Sequence, residues 1–460
     1  VEASTERVDS VLDLKEKLAF FAVNIGNIPI MTMLGTYLLL FYTDVVGLNP
    51  VTIGTLFLIA RVMDGISDPI MGYLIDHLPR LKMGRFRGYL VIGVIITTLT
   101  FLFVWLGPLL APTGKLVIAY IGYLLIGWTF DLMDIPLNSM IPVMSDKDRD
   151  RNVLSTIKGS AYMVGAIIII GAGLPIIKSF PTMREGFVVA ILGAAAFVLV
   201  FSVLGTLGIK ERIQPMREEK YTFKNIKDIL GARPVLILFL QTLISQIGAG
   251  VSSGTLVFFF LYGLKRPDLF PVGAASYIVG IVVAAFTAPA LVKRFGKKTC
   301  NILAMLVSIT GSVIMFFTPT SMPYVFLAVA LLTSPATGLS MVLTYGIQAD
   351  NMDYIEWKHG YRAEAAVASM NSFIIKAASG VGSAIGAYLL AYFKYVPGAE
   401  NQLPVTIRGL YTVNYAIPAV FTLIGLLVWS FGYPLTKAIT AQMMSELTER
   451  RAAGKVIPQE

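Results

Sequence analysis

The chain has 460 residues, 56% hydrophobic and only 14% charged, with a formal net charge of +9 and a mean hydropathy of +0.73. A soluble domain carries about 25% charged residues, so this chain has too little polar surface to coat a globule in water. One cysteine, Cys300, excludes an internal disulfide framework and a cysteine-based metal cluster, and the two histidines, His77 and His359, lie in charged connections, which argues against histidine-based metal or triad chemistry.

The charged opening "STERVDSVLDLKEK" lacks the pattern of a cleavable signal peptide. Apolar segments long enough to cross a bilayer, at about 20 residues each, then recur at 18–43, 51–76, 88–110, 116–143, 153–179, 186–209, 232–263, 270–293, 299–318, 323–349, 363–394 and 409–436. They predict an all-α membrane protein of twelve transmembrane helices. The polar segment 210–231 divides them into six and six: an N-terminal bundle over 1–209, a central cytoplasmic loop over 210–231, a C-terminal bundle over 232–440 and a cytoplasmic tail over 441–460.

Lys and Arg collect in the even-numbered connections: Arg80, Lys82, Arg85 and Arg87 after span two, Lys210 to Lys227 after span six, and Lys293, Arg294, Lys297 and Lys298 after span eight. The connection after span one holds only Asp44, and "TPTSMP" after span nine holds no charge. The positive-inside rule then puts the even connections and both termini in the cytoplasm, in a cell inner or plasma membrane. The same distribution, in short loops beside apolar runs, belongs to lipid headgroups rather than to nucleic acid.

Span two contains "ARVMDGISDPIMGYLID". Each Arg or Asp at mid-bilayer costs roughly 2.5–3.5 kcal/mol on insertion scales, yet Arg61, Asp64 and Asp68 all sit here, within an arc of about 60° on a helix. Span four repeats the spacing with Asp131, Asp134 and Asn138; span five opens with Lys158, and span eleven carries Lys376 four residues after Ser372. Ion pairs that lock helices together, or charges that snorkel to an interface, explain some of these. Two acids one turn apart are different: they repel, and need a cation or a proton between them. With Ser67 beside them they form an oxygen cage for a hard monovalent cation, and Arg61 offsets one of the charges. Filling the cage by either ion neutralises it and lowers the cost of rearranging the helices around it.

Single aromatics such as Trp128, Tyr37 and Tyr345 are explained by packing or interface anchoring as well as by stacking on a ligand. Gln241, Gln246 and Gln348 are hydroxyl partners or helix–helix glue. "GAGVSSG" and "ASGVGSAIGA" read as close-packing faces, and "DNMDYIEWKHGYRAE" as a cytoplasmic gate of ion pairs facing the first-half basic loops.

Two six-span halves with matching basic loops, "GYLIDHLPRLKMGRFR" after span two and "PALVKRFGKK" after span eight, resemble the major facilitator superfamily, whose substrate site lies between halves near the midplane. Within it, "FYTDVVGL", "GTLFLIARVMDGISDPIMGYLID", "GRFRGYLVIG", "MDIPLNSMIP" and "ADNMDYIEWKHGYRAEA" resemble the glycoside–pentoside–hexuronide:cation symporters, most closely the melibiose permease type, from about residue 15 to 440. The resemblance implies that Asp64 and Asp68 bind the coupling cation, Na+ or H+, with Ser67 where the relative has Asn. It implies that Asp134 contacts sugar hydroxyls, that Lys158 replaces the sugar-site Arg of span five, and that Lys376 links cation and sugar sites with Ser372 one turn before it.

This chain departs from that pattern. Asn27 and Ile28 stand where the relative has a Lys–Asp pair that grips galactosyl hydroxyls; Phe130 replaces a Tyr, Asn138 a stacking Trp, and Asp131 a cation-site Thr. An α-galactoside therefore fits poorly, and an acidic sugar such as a hexuronide or sulfo-sugar becomes the open alternative. A third acid, Asp131, favours H+, whereas the retained Asp64–Asp68 spacing favours Na+. The expected activity is cation-coupled symport of a sugar or glycoside by alternating access. There is no enzymatic step and no cofactor, since phosphate-loop, nucleotide and nucleophile–base motifs are missing. The rivals are a lysophospholipid transporter of the same fold, toward which Ile28, Phe130 and Asn138 lean, and a non-transporting sugar sensor, which would not need the cation acids.

Overall fold

A computed structural model describes residues 12–77, 79, 81–145, 147–213, 229–360 and 364–452. Among them, eleven helices are long and apolar enough to cross a membrane. The remaining long helix, Pro50–His77, has 28 residues and is the one that carries Arg61, Asp64 and Asp68. The expectation of twelve spans therefore holds, and the chain is a multi-pass membrane protein.

Helix is the structure that lets an apolar chain satisfy its own backbone in lipid. The outer surface matches that solvent: Phe286, Phe317, Leu332 and Phe431 are each more than three-quarters exposed. Such exposure is adverse in water and neutral in hydrocarbon. Spans one to six are Leu14–Val45, Pro50–His77, Phe86–Leu110, Lys115–Met144, Asp148–Lys178 and Met183–Gly208. Spans seven to twelve are Arg233–Gly263, Pro267–Phe295, Lys297–Phe317, Pro323–His359, Glu364–Tyr392 and Pro404–Gly432, and a final helix runs over Lys437–Ala452. Spans one, seven and twelve each contain a π-helical segment, at Phe41–Val45, Phe259–Gly263 and Thr412–Ala416.

The chain divides into two compact units, Val1–Phe41 with Val62–Glu218, and Tyr42–Arg61 with Glu219–Glu460. Tyr42–Arg61, the end of span one and the first part of span two, groups with the C-terminal spans. Hydropathy reports the length of an apolar run and says nothing about which neighbours it packs on.

In the first unit, span one packs on spans five and six, and span three on spans four and six. Trp105 is fully buried against Phe41 and Phe187, with ring centroids 5.0 Å apart for Phe41–Trp105 and 6.2 Å for Trp105–Phe187. Arg85 and Arg87 donate their backbone N–H groups to Glu211 at 2.9 and 2.6 Å, and Glu16 holds Arg212 at 2.7 Å, so the basic loop after span two is tied to the end of span six.

In the second unit, span seven packs on eleven and twelve, and span ten on eight and nine. Two glycine pairs set these crossings. A Cβ on Gly250 would lie 3.0 Å from Gly382 Cα, and one on Gly338 would lie 2.8 Å from the Gly280 carbonyl oxygen. The small-residue faces read from the sequence are packing faces, as small residues at membrane helix crossings usually are.

Candidate functional site

Asn27 on span one, Asp134 and Asn138 on span four and Lys158 on span five are joined in one hydrogen-bonded chain inside the first unit. Asn27 is buried and donates Nδ2–H to Asp134 Oδ1 at 3.0 Å. Asn138, one turn beyond Asp134 on the same helix face, donates Nδ2–H to Oδ2 at 2.7 Å. Lys158 Nζ donates to Asn138 Oδ1. Only one orientation of the Asn138 amide satisfies both neighbours, nitrogen toward the carboxylate and oxygen toward the ammonium. Asn27 Oδ1 is buried with no partner among the described residues. A buried amide oxygen without a donor is uncommon and calls for an explanation, such as a ligand or water hydroxyl.

The consequence is electrostatic. Asp134 receives neutral amide donors, and its counter-cation stands one amide away rather than in contact. Asn138 is exposed and Lys158 half-buried, so hydroxyls and an anionic group can approach these groups without first breaking a contact ion pair. The sequence brought these residues forward, but could not show that the Asn at 138 joins Asp134 to Lys158.

Asp64 of span two also reaches span four. Asp64 is half-buried, and its Oδ1 would stand 2.8 Å from a Cβ on Gly127, so the carboxylate presses against the span-four backbone at a glycine. Ser67 is fully buried and donates Oγ–H to the Asp64 carbonyl at 3.3 Å, which keeps its oxygen lone pairs as acceptors. Asp131 is buried on span four. The side chain of Asp68 lies outside the described residues. Arg61, expected as the charge partner, falls in the second unit and packs against Gly380 of span eleven.

The other expected site residues lie on spans one, four and eleven. Ile28 meets span five at Gly165, where a Cβ would lie 2.9 Å from Ile28 Cβ, so its position is a helix crossing. Phe130 is half-buried. Tyr37 is fully buried and donates to the Ile170 carbonyl at 3.0 Å, a packing role, and Tyr345 is 70% exposed, as an interface or lipid-facing residue is. In the second unit, Ser372 and Lys376 are exposed on one face of span eleven. Gln241 donates to Ser245 at 2.9 Å within span seven, a contact along the helix.

The run "DNMDYIEWKHGYRAE" was expected to face the first-half basic loops. The contacts described for it lie within the second unit. Asp350 pairs with Lys297 at 2.6 Å; Asn351 accepts from Tyr433 Oη at 3.0 Å; Trp357 Nε1 donates to Glu446 of the final helix at 2.7 Å. Residues 361–363 lie outside the described residues. Span ten runs on to His359, which carries these side chains onto span nine and the chain end rather than leaving them in a loop.

A protein family described as MFS/sugar transport protein matches residues 20–437. The isoprimeverose transporter of Lactiplantibacillus pentosus is 28% identical over 448 residues, covering 95% of this chain and 90% of that protein. The glucuronide carrier protein homolog of Escherichia coli strain K12 is 27% identical, covering 93% and 94%. Among solved structures, a D-xylose–proton symporter superposes with a TM-score of 0.64 at 15% identity, over 92% of this chain and 98% of that one, a likeness of fold alone.

Proposed function

Since the chain belongs to the MFS/sugar transport proteins, and within them to the glycoside–pentoside–hexuronide:cation symporters, we propose that this sugar transporter moves an acidic sugar or glycoside by symport with a monovalent cation. The observation that carries the substrate reading is the Asn27–Asp134–Asn138–Lys158 chain. Asp134 and the open Asn27 carbonyl accept from sugar hydroxyls. Lys158, bonded to an amide oxygen rather than to a carboxylate, receives the substrate's carboxylate or sulfonate. The polar character of this chain, with Ile28 drawn into a helix crossing, supports a sugar over a lysophospholipid tail.

Asp64 and Asp68, with Ser67 and Asp131, are the residues that would hold the coupling ion, Na+ or H+. Their carboxylates would supply the ligands for a hard cation or the acceptor for a proton. With the basic connections at the cytoplasmic face of the inner membrane, both termini are cytoplasmic and the substrate enters down the ion gradient.

The test is uptake into vesicles under separately imposed Na+ and proton gradients, with a glucuronide, a sulfo-sugar, a neutral pentoside and a lysophospholipid as substrates. Accumulation of an anionic sugar under one gradient is expected, and Lys158→Met should abolish the preference for it over the neutral pentoside. Accumulation of the neutral pentoside alone, or of the lysophospholipid, overturns the substrate reading; uptake indifferent to both gradients overturns the coupling.

A further inference from the structure

Spans nine and twelve of the second unit pack on each other, and toward one end they leave an apolar groove of about 230 Å³. Small side chains, Ser312, Ala416 and Ala419, let the two helices part without filling the space between them. Phe317 and Val420 line the same groove and are exposed.

Its depth in the bilayer follows from one hydrogen bond. Tyr411 Oη of span twelve donates to the carbonyl of Thr318, the residue that caps span nine, at 2.9 Å. The groove starts just inside that level, at Phe317 and Ala416, and reaches inward to Ile309 and Leu423. From Phe317 to Ile309 is about 12 Å of helix, close to the roughly 15 Å of hydrocarbon in one leaflet. Arg408 lies one turn beyond Tyr411 toward the start of span twelve, about 4.5 Å further out, at the depth of the headgroups. This is the end of the spans opposite the basic connections.

The π-helical segment Thr412–Ala416 separates Arg408 from the groove. In an unbroken α-helix the two positions 408 and 416 would point about 80° apart. A single π turn adds about one residue, or about 100° of rotation, and so brings them to within about 20° of each other. Arg408 therefore stands above the groove on the same face of the helix. It is exposed and makes no side-chain hydrogen bond or ion pair among the described residues. Arg266, at the same end of the spans, is by contrast already paired with Asp268 at 2.6 Å.

We infer that this groove and Arg408 form a binding site for one anionic phospholipid, with an acyl chain in the groove and the phosphate on the guanidinium. Each half of the site matches a half of that ligand. An unfilled apolar groove forfeits dispersion contacts that a hydrocarbon chain restores, and a planar guanidinium binds phosphate through two parallel hydrogen bonds. A zwitterionic lipid offers the same chain and phosphate, but its own cation competes with Arg408 for the phosphate. The site is separate from the residues assigned to sugar and ion.

A local reporter tests it. The chain's single cysteine, Cys300, is buried. In a Cys300→Ala background, Ile314→Cys puts a thiol at an exposed position of span nine beside the groove, where it takes a bimane fluorophore. The full chain is reconstituted in phosphatidylcholine, and brominated phosphatidylglycerol or brominated phosphatidylcholine is titrated in as quencher. Phosphatidylglycerol should quench at about tenfold lower mole fraction, the size of one charge-assisted hydrogen bond. Arg408→Gln should erase that difference and Arg408→Lys keep most of it. Val420→Trp, which fills the groove from an exposed position, should raise the mole fraction needed for either lipid. Equal quenching by the two lipids in the parent, or a preference that survives Arg408→Gln, overturns the headgroup assignment. Quenching unmoved by Val420→Trp overturns the groove. No quenching by either lipid, in a parent that runs as a dimer, would give this face to a second copy of the chain instead. Arg408 is exposed and unpaired, so its variants keep the test decisive even where the filled groove fails to fold.

Discussion

Asp134 in the first unit and Asp350 in the second are both acidic residues on long membrane helices, and they are satisfied in opposite ways. Asp350 touches its cation, Lys297, at 2.6 Å. Asp134 touches two amides, and reaches Lys158 only through Asn138. A contact pair is electrically closed; a pair with an amide between its members retains an acceptor and a donor that a ligand can use. The difference teaches that a charge at membrane depth is read by its partner rather than by its presence. On the function proposed above, the paired acid belongs to the scaffold and the spaced one to the site.

The sharpest way to break this comparison is at Asp64, placed on the side of the site. Asp64→Asn should abolish uphill accumulation altogether while the protein inserts and melts as the parent does; gradient-driven uptake at the parent's level would move Asp64 to the scaffold. Next comes Asp134→Asn, expected to weaken sugar binding about 10–100-fold, the range for hydrogen bonds to a charged group, with little change in melting temperature. A steep fall in melting temperature at unchanged affinity would make Asp134 structural. For Lys297→Met the pattern reverses. Breaking a buried pair costs about 3–5 kcal/mol, and because Lys297 is 30% exposed the expected loss is about 2 kcal/mol, seen in denaturation, with affinity retained.

The smallest effect is at Glu446, whose carboxyl is held below its ordinary value of 4.5 chiefly by the Trp357 hydrogen bond, then by Gln442 and by nearby Arg450. A depressed carboxyl contributes above its unfolded value and loses that contribution as pH falls through the folded one. The melting curves of the parent and Glu446→Gln should therefore differ slightly at neutral pH and converge below pH 4.5. A gap that widens on acidification would contradict the assignment.

Much of the fold was legible because hydropathy counts spans directly, and because a charge in lipid is conspicuous: Asp64, Asp134, Asn138 and Lys158 stood out by type and spacing alone. What stayed hidden were pairings over long separations. Asp44 read as one loop charge, since its donors, Tyr262 and Tyr395, lie 218 and 351 residues away. The aromatic ends "VFFFLYG" and "YFKY" were the available signal, but aromatics at span ends usually anchor to the interface. The run "DNMDYIEWKHGYRAE" reads as a loop because it is acidic and follows an apolar segment, whereas the helix continues through its first part to His359. Ile28 took its expected role from its place in a motif, and helical periodicity could not show that it also meets span five at Gly165.

The glycine pairs of the second unit, Gly250 with Gly382 and Gly280 with Gly338, have a mechanical consequence. Where two helices touch through long side chains, rotamer changes let them slide; where backbone meets backbone, there is no such slack, and a displacement of a few tenths of an ångström already meets the repulsive wall. Spans seven with eleven and eight with ten are thus girders with little internal compliance. A force applied at one end of either pair arrives at the other nearly undiminished. A single methyl at Gly250 or Gly338 would act as a wedge, felt along the whole length of both helices.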